Sequence, residues 1–257
     1  MVDITIASKV ETLYLMIFMS HFLHLFEHWQ ATLNWSPSPE QSAQFEQLYE
    51  LVLEGNSKQN LTRITNPDDF WEKHLWDSLR GVLAYWDREN IKVIDIGTGA
   101  GFPGLPIAIA KPSWQVTLLD SKHKKVAFVE ETIQTLQIPN AIAQVGRAED
   151  VNKTSLHKNK YDLALVRAVG KADICASYTL PFLKKSGTAI LYRGQWLPEE
   201  SEQLDIFCEQ EGLEVVKQDR FQTPLTAGIR HSVYLSPNVL SPTVVQPPSP
   251  TRKGTQN

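Results

Sequence analysis

Hydrophobic positions fall at helical spacing in the early part of the chain, and after residue 90 short apolar runs alternate with helical stripes. Phe45, Leu48, Tyr49 and Val52 form one stripe. Ser38 is placed to cap that helix, Pro39 suits its first position, Gln41 completes a capping box and Gly55 is the expected stop. Asn66-Pro67 opens a second helix by the same chemistry, with Asp68 and Asp69 favourable at its positive end, and this helix is expected to reach about Tyr85. From Ile91 the texture changes. Strands are predicted at Lys92 to Ile96, Gln115 to Asp120, Ala141 to Val145, Asp162 to Arg167, Thr188 to Arg193, Leu213 to Lys217 and Ile229 to Leu235. Helices are predicted after the first two strands, the second carrying Val126, Val129, Ile133 and Leu136, and again at Lys171 to Leu183 and Glu199 to Gln210.

Strands alternating with helices imply an α/β fold with a mainly parallel sheet covered on both faces, and ligands bound beyond the carboxyl ends of the strands. The last two strands have no helical pattern between them and read as a hairpin. Residues 1–37 read as an N-terminal extension and 38–88 as a helical appendage, with the sheet domain at 89–236. The Pro- and Ser-rich stretch from Ser236, residues 237–257, reads as a disordered tail.

Thr12 to Phe26 holds no Asp, Glu, Lys or Arg, but it is shorter than the ~20 residues a membrane span needs. Phe22, Phe26, Trp29 and Leu33 instead share one helical face, so no membrane association is expected. Met16 and Met19 are alternative start positions.

Composition narrows the function classes. The formal net charge of −4 excludes coating of nucleic acid by global charge, so any RNA contact must come from a local basic patch. Cys175 and Cys208 sit in no metal-ligand spacing, which predicts neither a zinc site nor a disulfide framework and suits a reducing, cytoplasmic compartment. Neither follows a proline, against a Pro-Cys nucleophile.

The strongest motif is Asp95-Ile96-Gly97-Thr98-Gly99-Ala100-Gly101-Phe102-Pro103-Gly104, where the first strand turns into its helix. Glycines there allow positive φ and close approach of a ligand. Asp120 ends the second strand, where a carboxylate can accept from ribose hydroxyls. Two cofactors use such geometry. Gly99 to Gly104 matches the dinucleotide pattern GxGxxG, with Asp120 at the expected distance. That match starts two residues late, however, and Asp95, two before the first glycine, would repel a pyrophosphate. An acid at that position suits the ammonium of S-adenosylmethionine. A nicotinamide-dependent oxidoreductase and a purely structural turn stay open on the residues alone.

Asn60-Leu61-Thr62, His74-Leu75-Trp76-Asp77-Ser78, the loop Asp95 to Gly104 with Leu105-Pro106, and Leu118-Leu119-Asp120-Ser121 with Lys124-Lys125 form a set. Arg147-Ala148-Glu149, Val166-Arg167-Ala168 and Arg230-His231 complete it. This set resembles the bacterial 16S rRNA (guanine-N7) methyltransferase family, the glucose-inhibited division protein B group, over roughly residues 40 to 235. The resemblance implies a class I (Rossmann-like) S-adenosylmethionine-dependent methyltransferase fold with a small N-terminal helical appendage. It implies S-adenosyl-L-methionine as cofactor and 16S rRNA or the small ribosomal subunit as partner, methylated at guanine 527. It further implies that Gly97 and Phe102 line the cofactor, with Gly99 and Gly101 in the same loop. Asp120, Ser121 and Lys122 would meet the ribose side, Ala148 and Glu149 the adenine, and Arg167 the junction of cofactor and base. Lys125 stands where many members have Arg, and both ends of the chain lack counterparts. A small-molecule methyltransferase on the same fold is the nearest alternative.

Guanine N7 carries a free lone pair at neutral pH, so methylation there needs alignment and no general base. Consistent with that, no Asn/Asp-Pro-Pro-Tyr motif follows the fourth strand. Phe70, His74, Asp77 and Gly81 share a helical face. His74 and Asp77 read either as a substrate-facing catalytic pair alongside Arg167, or as an intrahelical hydrogen bond that packs the helix. Lys122, His123, Lys124, Lys125, Arg147, Lys171 and Arg193 can form a phosphate-binding rim, and Trp196 is the candidate for base stacking.

Overall fold

The structure, a computed structural model, describes residues 20–237. Its centre is a seven-stranded sheet of β1 (Lys92–Ile96), β2 (Gln115–Asp120), β3 (Ala141–Val145), β4 (Tyr161–Arg167), β5 (Leu183–Arg193), β6 (Leu213–Gln222) and β7 (Ile229–Pro237). The order is β3-β2-β1-β4-β5-β7-β6. The first five strands pair in parallel, while β7 runs antiparallel to both β5 and β6. Strand order reverses between β1 and β4, which opens a crevice at their carboxyl ends.

Both faces of the sheet are buried, which explains why its central strands are almost wholly apolar. Val93, Leu118, Leu163 and Ile190 point to one core, and Ile94, Leu119, Ala164 and Ala189 to the other. The first core is covered by α2 (Pro39–Lys58), α5 (Gly104–Ala110), α6 (His123–Thr135) and a composite helix. That helix consists of α3 (Pro67–Phe70), a π-helical stretch at Trp71–Trp76, α4 (Asp77–Val82) and a 3₁₀ turn to Tyr85. The second core lies under α7 (Ala148–Val151), α8 (Ala172–Thr179) and α9 (Pro198–Glu211).

The expected caps form. Ser38 Oγ accepts from Gln41 N and Ser38 N donates to Gln41 Oε1. Asn66 Oδ1 accepts from the amides of Asp68 and Asp69. Gly55, however, does not stop α2, which runs on to Lys58. It is there for packing: a Cβ on Gly55 would lie 2.6 Å from the Phe128 ring and 2.7 Å from Leu61.

Four other boundaries differ from the pattern. A 3₁₀ turn at Leu23–Leu25 precedes α1 (Phe26–Leu33), and its tighter winding buries Leu25 and leaves Phe26 exposed. The segment expected to stay helical to Leu183 ends in a 3₁₀ turn at Phe182, and β5 begins at once, Leu183 pairing with Tyr161. β6 continues past Lys217 because β7 pairs with it as far as Gln222, although the added residues are mostly polar. β7 likewise includes Ser236 and Pro237, so the expected tail at 238–257 lies outside the described residues, as do residues 1–19. Among the described residues no helix is long and apolar enough to cross a membrane.

Candidate active site

β1 ends at Ile96, and the backbone turns through Gly97, Gly99 and Gly101 with φ of 71°, 62° and 95° before α5 begins. Side chains are disfavoured at all three, but for different reasons. A Cβ on Gly97 would strike Val169 at 2.6 Å, and one on Gly101 would strike Leu105 at 2.2 Å. A Cβ on Gly99 meets only the Gly97 carbonyl at 3.9 Å, so Gly99 faces open space. The loop therefore presents Gly99 outward, while Gly101 is a packing position against α5.

Two carboxylates hold this loop. Asp95, buried in β1, accepts through Oδ2 from Thr98 Oγ1 at 2.6 Å and Gly104 N at 2.8 Å. Its Oδ1 is buried without a hydrogen-bond donor. Burial pushes its carboxyl up to about 6, against the pull of Thr98 and Gly104. Asp120, at the end of β2, accepts from Gly99 N at 3.0 Å and Lys122 N at 2.9 Å.

A second constellation faces the loop across the crevice. Arg167, the last residue of β4, donates to Lys73 O at 2.9 Å and to His74 Nδ1 at 3.3 Å, and its Nη1 lies 3.5 Å from Asp77 Oδ2. Its guanidinium sits 5.7 Å from the centre of the Phe102 ring, on which His74 stacks at 4.3 Å. Because Arg167 donates to Nδ1, the His74 proton is on Nε2, which donates to Thr62 Oγ1 at 2.9 Å. Burial holds His74 well below its ordinary value, helped by Arg167 and Lys73, so the ring is neutral. Burial raises Asp77, with Arg167 and Arg230 opposing.

His74 and Asp77 are thus on one side of the helix as expected, but each turns to Arg167 and no hydrogen bond joins them directly. The helix that carries them is pinned to the sheet by Tyr192 Oη, donating to Ser78 O at 2.9 Å, and Tyr234 Oη, donating to Gly81 O at 2.9 Å.

One cavity of about 760 Å³ joins the two constellations. Gly97, Gly99, Phe102, His74, Asp77 and Arg167 line it, together with Thr62, Tyr192, Arg193 and Arg230. Asp95 and Gly101, buried behind the loop, and Asp120, Ser121, Lys122, Ala148 and Glu149 do not line it. Ser121 and Lys122 are exposed just after β2, and in the first turn of α7 Ala148 is buried and Glu149 exposed. Within the basic group, Arg193 is tied to Gly170 O at 2.7 Å and to Glu200, and Lys125 donates to Asn60 O at 3.2 Å. Trp196 packs on the second core and donates to Gln218, outside the cavity wall.

Lys73 and Tyr192 also line the cavity, beyond the residues expected from the sequence. Lys73 directly precedes His74, and that adjacency is its signal in the sequence. Tyr192 reads as one more apolar residue of a strand, and only the approach of the helix at Gly81 reveals it. Ala168, with φ of 57°, directly follows Arg167 on the cavity wall, and its strain was equally invisible.

A family model described as rRNA small subunit methyltransferase G (GidB) matches residues 41–232. The chain is 52% identical to the ribosomal RNA small subunit methyltransferase G of Microcystis aeruginosa over 82% of its own length and 97% of the relative's. It is 53% identical to that of Trichormus variabilis over 81% of the chain and 87% of the relative. Among solved structures it resembles a SAM dependent methyltransferase from Aquifex aeolicus, with a TM-score of 0.50 and 17% identity over 70% of this chain and 96% of that one. M. jannaschii TYW2 in complex with AdoMet matches with a TM-score of 0.50 and 20% identity over 63% and 74%. These two likenesses show the fold, a Rossmann-like sheet covered by helices.

Proposed function

The chain belongs to the rRNA small subunit methyltransferase G family (GidB), and on that premise we propose that it transfers a methyl group from S-adenosyl-L-methionine to N7 of guanine 527 in 16S rRNA. The observation that carries this reading is the single cavity in which the glycine loop faces the cluster of Arg167, His74, Asp77 and Phe102.

The residues present fit the cofactor. Open space beside Gly99 and the donor-free Oδ1 of Asp95 suit a close-lying ligand with an ammonium group. A cavity of about 760 Å³ is within the range that encloses a small molecule. Asp95, Gly97, Gly99 and Phe102 would hold the methionine half, Gly101 would support the loop from behind, and Asp120, Ser121, Lys122, Ala148 and Glu149 would hold the nucleoside half. The cofactor supplies an electrophilic methyl group on a sulfonium.

The chain's own residues do the rest. His74, neutral and engaged at both ring nitrogens, is no free base; it fixes the plane of Arg167. N7 attack requires none, since its lone pair is already free. As positive charge moves onto the guanine, the Asp77 carboxylate offers a fixed compensating charge in a site shielded from water. Arg167 and Arg230 supply donors for the guanine O6 or the RNA backbone. Residues 38–88 then form a wall of the site, 89–236 the methyltransferase domain, and the enzyme works on small-subunit RNA in the cytoplasm.

The decisive experiment incubates the protein and cofactor with unmethylated small subunits, cleaves chemically at N7-methylguanine and maps the breaks by primer extension. One break at guanine 527 is expected. Methylation at another guanine atom, or of a small molecule alone, would overturn the reading.

A further inference from the structure

Glu72 is a charged residue that the methyl-transfer chemistry leaves unused. It lies in the π-helical stretch two residues before His74, and it is fully buried. Its Oε1 accepts from Leu225 N at 2.6 Å and Thr226 N at 2.9 Å, and its Oε2 from Thr226 Oγ1 at 2.5 Å. Burial opposes the charge, but donors from Thr226, Leu225 and Thr223 outweigh it and hold the carboxyl below its ordinary value. A buried carboxylate with such a set of donors is a charged clamp.

What it clamps is the turn between β6 and β7, which is itself tightly built. Thr223 N donates to Gly228 O at 2.9 Å, Ala227 N to Thr223 O at 3.1 Å and Gly228 N to Thr223 Oγ1 at 3.0 Å. These bonds tie the turn into one unit, and two residues after it comes Arg230, which lines the cavity together with Asp77. The Arg230 side chain donates only to the carbonyl of Ile229 at 3.3 Å among the described residues, so its own bonds do little to fix it. Its position is inherited from the start of β7.

We propose that Glu72 is a positioning residue, whose buried carboxylate locks the β6–β7 turn to the helix bearing His74 and Asp77 and so sets where Arg230 enters the substrate cavity. This rests on the methyl-transfer reading only for its kinetic consequence. Glu72→Leu, in the full chain, is expected to raise KM for the small-subunit RNA about tenfold, the scale of losing charge-assisted hydrogen bonds. Cofactor affinity and kcat should stay within about twofold of wild type, and Glu72→Gln, which keeps an acceptor for the two amides, should restore most of the loss. If Glu72 acts through Arg230, Glu72→Leu should add nothing in an Arg230→Ala background. Equal penalties in both backgrounds would mean a general structural role and overturn the proposal. Should Glu72→Leu not fold, Thr226→Val at an exposed position removes one donor and should raise KM about threefold. Amide exchange gives a readout independent of activity: Leu225 and Thr226 should lose protection while β1 and β4 keep theirs. If the RNA proves not to be methylated, this local pattern still supports the clamp, and uniform loss of protection still defeats it.

Discussion

Asp95 serves two demands with one carboxylate. One oxygen binds the loop and the other has no donor. Its folded value of about 6 lies above the ordinary 3.8, so the folded chain holds this proton more readily than the unfolded one. The associated stability is fully present below the ordinary value and is lost as pH rises through about 6. A ligand ammonium beside the free oxygen reverses that balance, because it requires the ionised form. Cofactor affinity measured calorimetrically between pH 5 and 8 should therefore be flat above 6 and fall by up to about tenfold per pH unit below it. Asp95→Asn should bind weakly with no such slope; a flat profile in the wild type would mean that Asp95 serves the loop alone. In the sequence Asp95 and Asp120 stand out as candidates because an acid at a strand end has few other uses. That both also tie down the glycine loop was not legible, since backbone amides leave no mark in residue type. Nor was the link from Arg167 to His74, a contact across 93 positions that no local pattern encodes.

Elements followed the hydrophobic pattern where their apolar runs were sharply bounded. β1, β2 and β3 begin and end where their apolar runs do. The polar half of β6 lies in a hairpin at the sheet edge, where one strand needs little apolar surface and leaves little signal. The π stretch at Trp71–Trp76 was hidden for another reason: widening a turn by one residue leaves a helical stripe recognisable. Gly81 shows how packing overrides propensity on that same helix. A Cβ there would lie 2.3 to 2.5 Å from the Tyr192 ring and hydroxyl. Alanine is the better helix former by about 1 kcal/mol. Forcing the helix off Tyr192, however, costs about 1–3 kcal/mol as overpacking and breaks the hydroxyl's bond to Ser78 O. Gly81→Ala should therefore lower stability in urea titration, and a variant as stable as wild type would show that the helix shifts freely on the sheet.

At the scale of the whole molecule, the helical wall of the site is itself buttressed from the N-terminal side. Trp29 packs 4.8 Å from Trp71 and 5.7 Å from Phe45, and Phe22 stacks over Phe70 at 6.3 Å. Trp76 Nε1 donates to Thr32 Oγ1 at 2.8 Å. Glu46 accepts from Ser20 Oγ and from the amides of His21 and Phe22, which fixes the entry of this segment onto α2. Trp71, Phe70 and Trp76 all belong to the composite helix that presents His74 and Asp77 to the cavity, and the Phe70 ring itself meets His74 at 5.1 Å. The segment from residue 20 to Leu33 is thus joined to the site through one helix thickness. Trp29→Ala should cost about 3–5 kcal/mol, as for other large-to-small changes in a core, a substantial share of the 5–15 kcal/mol that holds a typical domain. Removing residues 1–18 should leave the denaturation midpoint in place, because the alternating pattern of strands and helices requires no core from them. Removing residues 1–34 should lower the midpoint at least as far as Trp29→Ala and weaken cofactor binding with it, since Phe70 also meets Phe102 of the glycine loop at 5.5 Å. Equal stability of the two truncations, read by urea denaturation at 25 °C, would show that the wall stands without its buttress.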